Sequence, residues 1–71
     1  MTENGRNVLR SYMARAGHGH RAAAAVIGCT EKTFTKKLNG YDGAEFFVGE
    51  LIAMRNRYDI SREDMNTIVL G

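Results

Sequence analysis

The chain has no proline, no tryptophan and a single cysteine. One cysteine cannot staple a chain to itself, which fits a reducing compartment. No apolar run approaches the roughly 20 residues of a bilayer span. The opening MTENGRNVLRSYM is polar and then amphipathic, without the apolar core of a secretory leader. A cytoplasmic location and no membrane partner are therefore expected. No segment alternates well enough to be a strand, and there is no internal repeat, low-complexity stretch or linker. No nucleophile–base pair and no glycine-rich phosphate loop is present, so neither an enzyme nor a cofactor site is expected. His18, His20 and Cys29 lack the paired ligands of a structural zinc site, so no metal is expected either.

What remains is one small domain. Seventy-one residues bury only about 60% of the surface of the unfolded chain, which makes association attractive. The net charge of +2 is mild, but its distribution is informative. Between His18 and Lys37 lie four basic residues, Arg21, Lys32, Lys36 and Lys37, and one acid, Glu31. Most other acids fall from Asp42 onward. A basic face on a nearly balanced protein is the footprint of a DNA reader.

Residues 20–40, HRAAAAVIGCTEKTFTKKLNG, organise the rest. Ala23, Ala24 and Ile27 define one face of a short helix, with the Ala24 methyl small enough for a second helix to cross closely. Gly28 can take a positive φ and end that helix. Thr30 is a natural N-cap for the next, Phe34 and Leu38 form its inward stripe, and Gly40 closes it. Glu31, Lys32, Thr35 and Lys36 point outward. Cys29 at the turn is read as buried and inert.

Around this core the pattern gives three more helices. Val8, Leu9, Tyr12, Met13 and Ala16 make a first amphipathic helix from about Arg6 to Ala16, after a frayed, flexible stretch at residues 1–5. A fourth runs from about Val48 to Tyr58 with Val48, Leu51, Ile52 and the Arg55 stem inward. A fifth runs from about Arg62 to Val69, where Ser61 and Asp64 resemble a capping box. Residues 6–71 are thus read as a single all-α, five-helix domain.

Gly17 to Gly40 resembles, without gaps, the helix-turn-helix of the phage repressor and Cro-like (XRE-type) family. The matching features are Ala24, Gly28 at the turn, apolar Cys29, the cap Thr30, and Thr33-Phe34…Leu38-Asn39-Gly40. Phe47-Val48-Gly49-Glu50-Leu51-Ile52 and Tyr58-Asp59-Ile60-Ser61 resemble the continuation in small prophage members. Gly19-His20 replaces the family's polar cap and glutamine, and Ala22 to Ala25 replace its charged outer face. The resemblance implies a compact lambda-repressor-like fold and sequence-specific binding of double-stranded operator DNA. It implies base reading by the first, second and sixth positions after the cap, here Glu31, Lys32 and Lys36. His20 stands where the family's glutamine meets a phosphate.

The chemistry of these side chains agrees. Lysine suits guanine O6/N7, and a carboxylate accepts from cytosine N4; Glu31 equally suits a helix N-terminus. Arg21, Thr33, Thr35, Lys37, Asn39 and Tyr41 join His20 as candidates for the DNA backbone. Thr33 is alternatively half-buried, Asn39 a helix terminator and Tyr41 a core lid. Met54, Tyr58, Met65, Ile68 and Val69 are more apolar surface than one small core needs, so a homodimer through this end is expected. The rival is an antirepressor that binds another phage regulator through the same surface; a third option is an adaptor that has lost DNA binding.

Overall fold

The computed structural model describes residues 1–70, which form five α-helices and no strand. Helix α1 (Glu3–Arg15) starts three residues earlier than its apolar stripe suggests, because Thr2 caps it by accepting from the Gly5 N–H. Residues 3–5, expected to fray, are its first turn. Gly5 is buried, and a Cβ there would lie 3.0 Å from the backbone oxygens of Thr67 and Ile68. Only glycine lets α1 cross the last helix at that distance.

Helices α2 (His20–Ile27) and α3 (Glu31–Asn39) are joined by a sharp bend at Gly28-Cys29-Thr30. Gly28 is left-handed, at φ 76°, and the Cys29 N–H reaches the Ala24 carbonyl at 3.0 Å. This double-bonded ending satisfies carbonyls that the helix would otherwise orphan. Thr30 then caps α3, accepting from the Thr33 N–H at 3.2 Å. The fully buried Ala23 and Ala24 let α3 come close, with Phe34 and Leu38 inward.

A single 3-10 turn (Tyr41–Gly43) leads from α3 to α4 (Val48–Tyr58), and α5 (Arg62–Leu70) lies back against α1. The core is Leu9, Tyr12, Met13, Ala23, Ala24, Phe34, Leu38, Met54, Tyr58, Ile60 and Ile68. Polar ties position its parts. The Arg6 guanidinium donates to the Leu38 carbonyl at 3.0 Å, holding α1 on the end of α3. The Tyr12 hydroxyl bonds the Asp64 carboxylate. Half of the expected capping box therefore forms: Ser61 Oγ accepts from the Asp64 N–H at 3.1 Å, while the Asp64 side chain serves Tyr12.

The facing of α4 differs from the sequence expectation. Leu51, Met54 and Tyr58 point inward, whereas Val48, Ile52 and Arg55 point out. This helix carries apolar residues on most sides, so periodicity alone does not choose a face. One consequence concerns the expected dimer surface: Met54, Tyr58 and Ile68 are core residues, 1%, 8% and 2% exposed, and cannot meet a partner. Met65 is half-buried against the core, and Val69 alone of that set is exposed.

Candidate nucleic-acid interface

Helix α3 presents two sides with different chemistry because its inward side is fixed. Phe34 and Leu38 are 0% exposed, which aims Glu31, Lys32 and Lys36 at solvent. These three share a shallow open groove with Thr30, Thr35, Tyr41 and Asp42. The sequence-predicted base readers are thus brought together, and Tyr41 and Thr35 stand beside them.

The groove carries charges of both signs. Lys36 Nζ lies 3.5 Å from Asp42 Oδ2, with 48% and 82% of the two side chains exposed. Asp42 takes a left-handed φ of 55°, which Asp tolerates better than most residues. Sequence reasoning passed over it, since only its turn geometry brings it back to Lys36. Lys32 has no ion pair among the described residues, and Arg21 is exposed on the first turn of α2.

Other candidates are engaged within the protein. His20 Nδ1 is 2.8 Å from the Thr35 hydroxyl, and its ring meets Phe34 edge-on with centroids 5.6 Å apart. The Asn39 amide donates to the Thr35 carbonyl at 3.0 Å. Thr33 is held by Thr30 through both its N–H and its hydroxyl. Lys37 turns away from the groove altogether. Its ammonium lies 2.8 Å from Glu50 Oε1 and 4.1 Å from the centre of the Phe47 ring, with 12% of its side chain exposed. As a phosphate ligand Lys37 is already spent on Glu50, a partner that lies in another helix.

His18 and Cys29 take separate paths. His18 Nδ1 lies 2.9 Å from the Tyr58 hydroxyl, and Arg57 Nη2 lies 3.4 Å from Nε2. These contacts tie the loop before α2 to the last turn of α4. Cys29 is half-buried, and desolvation pushes its thiol pKa up, with Glu50 adding to the rise and Lys37 opposing it. Among the described residues no three metal-ligating side chains gather, and no helix is long and apolar enough to cross a membrane.

No protein-family model matches this chain, and no curated protein or solved structure does so either.

Proposed function

We propose that this chain is a sequence-specific double-stranded DNA-binding regulator with a helix-turn-helix fold, a Cro-like phage or prophage repressor acting in the bacterial cytoplasm. Helix α3 enters the major groove. Lys32 and Lys36 donate to guanine O6/N7, and Glu31 accepts from cytosine N4. Arg21, Tyr41 and the groove threonines meet phosphates and fix the register. Repression follows from occupying a promoter and excluding polymerase, and two copies read two half-sites.

The observation that carries this reading is the two-sided α3: Phe34 and Leu38 are fully buried while Glu31, Lys32 and Lys36 share an open groove. The second reading, an antirepressor that binds another regulator, draws on Glu31 and Asp42, which offset the lysines beside them. A salt-series anisotropy titration against DNA flanking the gene separates the two. A DNA reader shows affinity falling linearly in log–log form, with a tighter cognate site above a non-specific floor. Binding to a neighbouring regulator, with none to any duplex, establishes the second.

A further inference from the structure

His20 opens helix α2, yet its ring belongs as much to α3. Nδ1 lies 2.8 Å from the Thr35 hydroxyl, and the ring meets Phe34 edge-on with centroids 5.6 Å apart. Phe34 is 0% exposed, so the imidazole rests on a fixed wall. Thr35 in turn lines the open groove with Glu31, Lys32 and Lys36. The hydrogen bond therefore joins a titratable ring to a hydroxyl of the candidate DNA surface.

A hydroxyl has one proton to give and two lone pairs to receive with. A neutral imidazole has one bare nitrogen, and whenever that nitrogen is Nδ1 the Thr35 proton is spent on it. An imidazolium donates from both nitrogens. Its Nδ1–H then fills a lone pair of Thr35, and the hydroxyl proton is released to the groove.

We propose that His20 is a positioning residue for DNA binding, which when protonated makes the Thr35 hydroxyl a donor to the duplex. The inference rests on the DNA-binding reading above, in which the groove threonines meet phosphates. Anionic phosphate oxygens only accept, so they need that released proton. The imidazolium also adds a positive charge beside the same phosphates. Both effects favour the protonated ring in the complex, so binding takes up a proton. Affinity is then highest at low pH and declines as pH rises through the range where histidine changes charge, about pH 5 to 8.

Few charged groups surround the ring. On α3, Glu31 lies one turn before Thr35, with Lys32 and Lys36 beside it in the groove. On α2, Arg21 follows His20 directly. None of them pairs with the imidazole among the described residues. His18, the other histidine, is engaged with Tyr58 and Arg57 instead.

Anisotropy titrations of the full chain on duplex flanking its gene test this, at fixed ionic strength from about pH 8 to about pH 5.5. Wild type binds about three- to tenfold tighter at the acid end, the worth of one hydrogen bond. His20→Gln keeps an amide for the hydroxyl but does not titrate, and it flattens the profile. Thr35→Val flattens it too, while Thr35→Ser and His18→Gln retain it. Binding that ignores pH overturns the inference and leaves the DNA-binding reading standing. So does a profile that survives His20→Gln or disappears in His18→Gln, which assigns the proton elsewhere. A profile untouched by Thr35→Val makes His20 a direct phosphate contact and overturns the positioning role. No binding to any duplex at any pH sinks both readings.

Discussion

The Lys37 ammonium and the Glu50 carboxylate meet at 2.8 and 2.9 Å, joining the last turn of α3 to the first turn of α4. The same carboxylate accepts from the Phe47 N–H at 2.8 Å, the returning half of a capping box whose forward half Phe47 has no side-chain oxygen to make. With 12% and 15% of the two side chains exposed, solvent screens the pair little. Lys37→Ala strands the carboxylate and is expected to cost about 1–3 kcal/mol in urea unfolding. Because Glu50 already neutralises Lys37, the log–log salt slope of DNA binding should shift by well under the one unit of a true phosphate contact. A full unit lost from the slope, with stability unchanged, would return Lys37 to the DNA surface.

Gly5 sets how closely α1 and α5 approach. A methyl at 3.0 Å from two backbone oxygens has no flexible side chain to push aside, so a helix has to shift. Gly5→Ala, which elsewhere in a helix gains roughly 1 kcal/mol from propensity, is expected here to destabilise by about 1–3 kcal/mol through overpacking. A rise in the thermal midpoint would show that α5 yields freely.

How much of this was legible in the sequence depended on whether the deciding contact was local. The bend at Gly28, the cap at Thr30 and the inward pair Phe34 and Leu38 follow from neighbours within one or two turns. The outward placement of Glu31, Lys32 and Lys36 follows from the same periodicity. Gly5 gave no local sign, because its partners Thr67 and Ile68 lie at the far end of the chain. Lys37 read as one more surface lysine since its carboxylate is 13 residues away on another helix. Helix α4 was misfaced for a different reason: with Val48, Leu51, Ile52, Ala53, Met54 and Tyr58 distributed around it, packing against α2 decides which side is buried. The expected dimer residues Met54 and Tyr58 fell with that choice, and Ile68 with the packing of α5.

The two lysines of the groove should behave differently because only one has a counter-charge. Lys32→Ala is expected to cost about 1–3 kcal/mol on a cognate duplex and to relax the preference at one base pair. Asp42→Asn frees Lys36 and removes a negative charge from the groove. An exposed ion pair is worth about 0–1 kcal/mol, so affinity should rise roughly two- to fivefold on cognate and scrambled duplexes alike. Anisotropy titrations of both variants at matched salt provide the check. Equal losses on cognate and scrambled DNA for Lys32→Ala would make it a phosphate contact, and weaker binding by Asp42→Asn would make Asp42 a ligand of the bases.

Alkaline pH should lower the stability of the protein in two stages that can be assigned. Desolvation raises the Cys29 pKa above its ordinary 9.0 and the Tyr58 pKa above its ordinary 10.0, Arg57 opposing the second rise. Both groups are neutral when protonated, so the folded state holds these protons longer than the unfolded chain does. The sign follows by linkage: their contribution is complete below the unfolded values and is lost as pH climbs through the folded ones. Thermal midpoints should therefore carry no contribution from either group's titration through neutral pH, begin to fall near pH 9 through Cys29, and fall further near pH 10 through Tyr58. Cys29→Ala should delete the first fall. Tyr58→Phe should delete the second while lowering stability at every pH, because His18 Nδ1 loses its hydroxyl partner at 2.9 Å. A midpoint that climbs above pH 9 in the wild type would mean that both groups ionise more readily in the folded chain, contrary to their burial.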